Sequence, residues 1–260
     1  GEEETQKEQE IIESLVNRLT DRFDDVLIRT HLDGLPSRYS ETSSEEEIAR
    51  HLEMIEEIND STGAVRFTRS GLFTEVIVST RDHPYRLSQI CGVLATNDLS
   101  VFSAQAYTRA DGVVLDTFQV TAPDGSADVD ETRKKRFHKQ LIEVLDEKTP
   151  ISDLFDRHRA RWSRRRQPAI QLDVEIRIEN DVSDEHTVID VFAPDETGLL
   201  YRITRALSDL DLDIATARIG TQADRAVDAF YVRHKVHGKI LDPDPLKSLQ
   251  AQLLQKLADT

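Results

Sequence analysis

Two short stretches of this chain place a carboxylate just ahead of a helical spacing: Asp82-His83-Pro84-Tyr85-Arg86-Leu87 and Asp195-Glu196-Thr197-Gly198-Leu199-Leu200. Each follows a β-branched run, residues 76–80 in the first case and 188–191 in the second. Backbone N–H groups at the start of a helix attract an anion, and a neighbouring carboxylate pairs with a cation. A loop of this kind therefore suits a small ligand that carries both charges. Gly198 admits a close backbone approach that a β-carbon would block, whereas the corresponding residue of the first stretch is Tyr85. The second stretch is thus the better binding candidate. The plainer reading of Asp82 and Asp195 is that each serves as an N-cap.

Other chemistry-bearing residues are weaker. Asp209-Leu210-Asp211-Leu212-Asp213 is a tight D-x-D run of the kind that binds metal in nucleotidyltransferases, but no Gly-Ser turn precedes it, so it reads as a polar turn between a helix and a strand. None of the eight His residues is followed by Asp, which removes the His-Asp pair of metal-dependent phosphohydrolases. His51 beside Leu52 and Ile55 reads as a packing residue, and Cys91 beside Ile90 as a small core thiol. Residues 157–166 hold six Arg and the single Trp, a composition found in strips that bind single-stranded nucleic acid. Their position between two repeats, ending in Gln167-Pro168, favours a solvated helix and linker.

The elements that position these loops occur twice. Residues 76–120 and 188–232 share one pattern, with a constant offset of 113 from Asp82 to Asp111 and of 112 after a one-residue deletion in the next turn. Leu87, Ile90 and Leu94 match Leu200, Ile203 and Leu207, one apolar helical stripe in each copy. The helices stop at Asn97-Asp98 and at 209–211; residues 99–108 and 212–221 then alternate as strands. Asp111-Gly112 and Ala223-Asp224-Arg225 fall where hairpin turns belong. The copies close on the strand phrases Asp116-Thr117-Phe118 and Asp228-Ala229-Phe230, and helices follow at about 129–146 and 245–257. An additional strand precedes each copy, at 64–69 and 172–178. It either closes the neighbouring sheet or pairs with its own repeat's first strand, and the twice-repeated hairpin spacing favours the second. Upstream, Ile11, Ile12, Leu15, Val16 and Leu19 form a helical stripe, and Ser43 or Ser44 with Glu46 or Glu47 makes a capping box for a helix through Ile58.

A β-α-β-β-α unit of about 70 residues with a D-x-x-G loop resembles the ACT domain, a ferredoxin-like module that binds amino acids. The tandem order, the phrases Val114-Leu115-Asp116-Thr117-Phe118 and Arg225-Ala226-Val227-Asp228, and Leu35-Pro36-Ser37-Arg38-Tyr39 upstream are similar to the C-terminal part of the bacterial PII-protein uridylyltransferase/uridylyl-removing family. The resemblance implies an α+β fold of tandem ferredoxin-like ACT domains, antiparallel sheets with helices on one face, behind an N-terminal helical segment. The expected division is 1–60 helical extension, 61–150 first ACT domain, 151–169 basic helix and linker, and 170–260 second ACT domain. It implies allosteric sensing of an amino acid, glutamine in that family, with Asp195, Thr197, Gly198, Leu199 and Leu200, and Asp82, Tyr85, Arg86 and Leu87, as ligand-binding residues. No catalytic residue, metal or cofactor is expected in the chain. Implied partners are the parent enzyme's catalytic domains, PII protein indirectly, and a second copy through the ACT domains. The leading Gly1 and abrupt acidic start are read as the boundary of a fragment.

Charge and hydropathy agree with a regulatory piece. The formal net charge of −16 opposes nucleic acid, whose binding depends on neutralising phosphates. No apolar run is long enough to span a bilayer, so no membrane partner and a cytoplasmic location are expected. A single Cys excludes an internal disulfide framework. The alternative function is a stand-alone adaptor whose sheet edges pair with a partner protein.

Overall fold

A computed structural model describes residues 2–162, 174–222 and 225–258. In chain order the elements are α1 (Glu2–Leu19), α2 (Asp25–Asp33), α3 (Ser37–Thr42), α4 (Glu45–Glu57), β1 (Gly63–Ser70), β2 (Phe73–Arg81), α5 (Arg86–Thr96), β3 (Ser100–Thr108), β4 (Val113–Thr121), α6 (Glu131–Leu145) and α7 (Ile151–Trp162). They continue with β5 (Glu175–Glu179), β6 (Thr187–Pro194), α8 (Leu199–Asp209), β7 (Leu212–Arg218), β8 (Thr221–Gln222), β9 (Arg225–His234) and α9 (Pro243–Ala258). The described residues therefore form the α+β architecture that the repeat implies.

The chain divides into two units. The first comprises Gly1–Arg66, Ile77–Asp82 and Tyr107–Asp116. Its core joins Val16 and Leu19 of α1, Ile28 of α2, Tyr39 of α3 and Ile48 and Leu52 of α4 to Ile77 and Leu115 on the strands. Helix α4 begins at Ser44, whose hydroxyl accepts from the Glu47 N–H while Glu47 accepts from the Ser44 N–H, the expected capping box. His51 is buried and hydrogen-bonded to the Tyr39 hydroxyl at 2.6 Å, and that hydroxyl also meets His31 Nε2 at 2.8 Å. Burial holds both imidazoles neutral, His31 with its pKa lowered to about 3 and His51 to about 4.

The second unit comprises Phe67–Val76, His83–Ala106 and Thr117–Thr260. The strand order of the sheet is β1-β2-β4-β3-β7-β9-β6-β5, with β8 beside β9. Strand β5 pairs antiparallel with β6, Ile176 opposite Val191, so the leading strand of the second repeat joins that repeat's own first strand; β1 likewise neighbours β2. The part of the expected strand before Val174 lies outside the described residues.

The two repeats meet where β3 pairs antiparallel with β7: Ser103 opposite Arg218, Ala104 opposite Ala217 and Gln105 opposite Thr216. At the offset of 113, Ser103 corresponds to Thr216 and Gln105 to Arg218. Each pair therefore exchanges into the other, and a local twofold axis runs through Ala104 and Ala217. Helices α5 and α8 pack together across this axis, and α6, whose Phe137, Leu141 and Val144 are buried, packs on α5. Helix α7 lies on α5, with Phe155 tilted against Tyr201 of α8 at 5.1 Å between ring centroids. The basic run predicted as helix and linker begins within α7, and residues 163–168 lie outside the described residues.

Candidate functional site

The loop between β6 and α8 is shaped by one backbone position. Gly198 has φ +90° and stands as the residue before the first helical turn, with no side-chain cap. The turn closes through the Leu199 N–H donating to the Glu196 carbonyl at 3.1 Å. This corrects the N-cap expectation: Asp195 lies three residues ahead of the cap, and in the first repeat the cap position belongs to Tyr85, at φ +70°, rather than to Asp82. The left-handed residue before each helix displaces the carboxylate out of capping range and leaves it exposed.

Asp195, Thr197, Gly198, Leu199 and Leu200 line a cavity of about 620 Å³. Its opposite wall comes from the first repeat: Cys91 and Ala95 of α5, and Leu99 to Phe102 entering β3. The Phe102 carbonyl accepts from the Ile219 N–H at 2.9 Å, which holds the two walls together. Phe155 closes over Gly198, where an added β-carbon would come within 2.8 Å of its Cε1.

Asp228 of β9 also lines the cavity and is only 2% exposed. The Gly220 N–H donates to its Oδ1 at 3.3 Å. Burial pushes its pKa up to about 7, the Gly220 N–H partly offsets that, and the Asp195 carboxylate adds to it. The charged residues lining the cavity are Asp98, Asp195, Glu196 and Asp228, with no Lys, Arg or His among the described lining. Asp98, at φ +57°, accepts from His158 Nε2 at 2.6 Å and lies 3.5 Å from Arg133, and Glu196 pairs with Arg202. Among the described residues no group of three or more His, Cys, Asp or Glu is placed to hold a metal ion.

The first repeat's loop is built differently. Tyr85 occupies the position equivalent to Gly198; its hydroxyl hydrogen-bonds Asp209 at the end of α8 and its ring lies 6.0 Å from the Arg205 guanidinium. Arg86 reaches Gln89 Oε1 at 3.1 Å and the Leu145 carbonyl, and Leu87 is half-buried. None of these three lines the cavity. Asp82 belongs to the first unit, where its N–H donates to the Gly112 carbonyl at 2.8 Å. There the buried Asp116, the counterpart of Asp228, has its pKa pushed up to about 8 by burial and by Asp82. The D-x-D run is a turn: Asp209 ends α8 and pairs with Lys256 at 3.0 Å, Asp211 has φ +55° and Leu212 is buried.

Sequence reasoning treated Asp116 and Asp228 only as markers of the repeat. A signal was present, since Asp228 falls on the same strand parity as the buried Ala226, Phe230 and Val232. A carboxylate on the core face of a strand is costly unless it has a role. His158 gave no comparable signal, because its partner Asp98 lies sixty positions away.

The ACR9-like, ACT-like domain family matches residues 175–260. A bifunctional uridylyltransferase/uridylyl-removing enzyme from Rhodopseudomonas palustris is 34% identical over 196 residues, 75% of this chain and 21% of that protein. Its namesake from Gluconobacter oxydans is 38% identical over 184 residues, 71% of this chain and 19% of that protein. A solved aspartate kinase from Synechocystis, 11% identical, superposes with a TM-score of 0.37 over 71% of this chain and 27% of that one, too distant for any inference. The chain spans about a fifth of the length of the curated relatives it matches. Residues 175–260 thus match an ACT-like domain, and about three quarters of the chain is similar to a part of the bifunctional uridylyltransferase/uridylyl-removing enzymes.

Proposed function

We propose that the chain is an amino-acid-sensing regulatory region that binds a free α-amino acid, glutamine in the first instance, and passes its occupancy to the uridylyl-transferring and uridylyl-removing domains of a longer protein. The observation that carries this reading is the cavity itself. Its 620 Å³ lies within the range of pockets for small molecules, and one wall is a strand-to-helix loop with Gly198 at its apex. The helix start offers N–H groups to an α-carboxylate and the acidic lining offers partners to an ammonium. The opposite wall belongs to the other repeat, so a ligand would touch both copies. Coupling of about 1–3 kcal/mol is typical of such an arrangement and suffices for a switch.

The adaptor reading finds less support, because β3 and β7, the strands that would be edges of separate repeats, are paired with each other. Thermal shifts of the chain against the twenty amino acids test the proposal. A ligand at about 100 times its dissociation constant adds roughly 2.7 kcal/mol to the native state, so millimolar glutamine raises the melting temperature and matched salt does not. No shift with any amino acid would return the reading to the adaptor.

A further inference from the structure

Asp228 is buried, faces the cavity and, among the described residues, has no cationic partner; its one hydrogen bond comes from the Gly220 N–H. Its cross-strand neighbour on β6 is Val191. The other charged groups around the cavity are Asp195 and Glu196 on the loop and Asp98 after α5. Glu196 is compensated by Arg202 and Asp98 by Arg133, and Asp98 also accepts a hydrogen bond from His158. Among the described residues, this leaves the lining without a cation for Asp228. Burying a carboxylate without a cation is costly, and the cost is tolerated where a ligand or a proton completes the site. An organic ammonium suits one buried carboxylate, with which it forms a charge-assisted hydrogen bond.

We infer that Asp228 is the ammonium-binding residue of the cavity, that Asp195 assists it from the loop, and that the cavity accepts α-amino acids without an acidic side chain. This rests on the amino-acid-sensing reading given above and adds the residue and the selection rule. The selection follows from the charge. An amino acid with a neutral side chain brings one ammonium to Asp228 and one carboxylate to the start of α8, whereas a dicarboxylic amino acid brings a further negative charge beside Asp228 and Asp195, with no Lys, Arg or His among the described lining. When the ammonium arrives, the protonated fraction of Asp228 releases its proton to solvent, and the carboxylate and ammonium form a charge-assisted hydrogen bond.

Calorimetric titration of the full chain tests this with three probes: L-glutamine, L-glutamate, and glutaramic acid, which keeps the glutamine skeleton without its ammonium. The wild type is expected to prefer glutamine over each of the others by about tenfold or more. Repeating the glutamine titration at pH 7 in buffers of different ionisation enthalpy should show release on the order of half a proton per ligand, as follows from a group whose pKa is about 7. In Asp228→Asn, an isosteric change, the preference for glutamine over glutaramic acid should narrow about tenfold and the proton release should vanish. Asp195→Asn should narrow the same preference less. Urea unfolding of each variant establishes that it is folded. If Asp228→Asn binds glutamine with unchanged preference and unchanged proton release, Asp228 is not the ammonium site, while amino-acid sensing stands. If glutamate binds the wild type as well as glutamine does, the selection rule is wrong. If the wild type binds no amino acid, the functional reading fails and this inference with it.

Discussion

Gly198→Ala isolates the backbone contribution to the cavity wall. At φ +90° an L-residue meets the steric penalty of the left-handed region, about 1–2 kcal/mol. A second cost comes from contact, since the new methyl would stand 2.8 Å from Phe155 Cε1 and 3.1 Å from its Cζ, closer than carbon atoms pack. Phe155 cannot withdraw freely because its ring rests on Tyr201, so relief of the clash adds about 1 kcal/mol. The expected total is therefore about 2–3 kcal/mol. Phe155→Ala removes the contact and leaves the backbone penalty, which makes the pair a double-mutant cycle. By urea unfolding, Gly198→Ala should cost about 1 kcal/mol less in the Phe155→Ala background than in the wild type, a coupling in the range found for touching residues. Equal costs in both backgrounds would mean that Phe155 does not close over Gly198. A cost below about 0.5 kcal/mol would refute the left-handed conformation itself.

Two further predictions concern the first unit. Tyr39→Phe removes the hydroxyl that joins His31 to His51 and strands polar ring atoms in a buried site, so urea unfolding should show a loss of about 2–3 kcal/mol; a loss below about 0.5 kcal/mol would show that the hydroxyl has no structural role. Asp116 has a folded pKa raised to about 8 from an ordinary 3.8, so the folded state binds the extra proton, and its contribution is full at acid pH and declines as pH rises through that window. Between pH 5 and 8 the stability of the wild type should therefore fall relative to Asp116→Asn by up to about 1.4 kcal/mol per pH unit, measured by urea titration at several pH values, and parallel curves would contradict it.

Much of the fold was legible because the repeat doubled every local signal. The stripe of Ile203 and Leu207 matches that of Ile90 and Leu94, and all four are buried. The capping box at Ser44 and Glu47 is fixed by residues three apart and needed no tertiary information. The N-cap role assigned to Asp82 and Asp195 failed because residue type alone does not reveal that Tyr85 and Gly198 are left-handed, which moves the helix start by three positions. The pairing of β3 with β7 was also hidden, since alternation identifies a strand without naming its neighbour. For the same reason the cavity had only one readable wall. The loop residues 195–200 stood out by composition, whereas Cys91, Leu99 and Phe102 face them only because of how the two repeats are joined.

The twofold axis through Ala104 and Ala217 makes the repeats an isologous dimer within one chain. A dimer of separate subunits would have to overcome the loss of translational and rotational freedom on association, several kcal/mol at the least. Here one covalent chain makes the pairing of the second copy intramolecular, so a weak edge pairing suffices to keep the cavity assembled. One covalent chain also frees the halves from being identical. In a symmetric dimer a Gly198 on one side would require the same glycine on the other. Tethering allowed one loop to keep the glycine and the cavity, while its counterpart took a tyrosine that bonds across to Asp209.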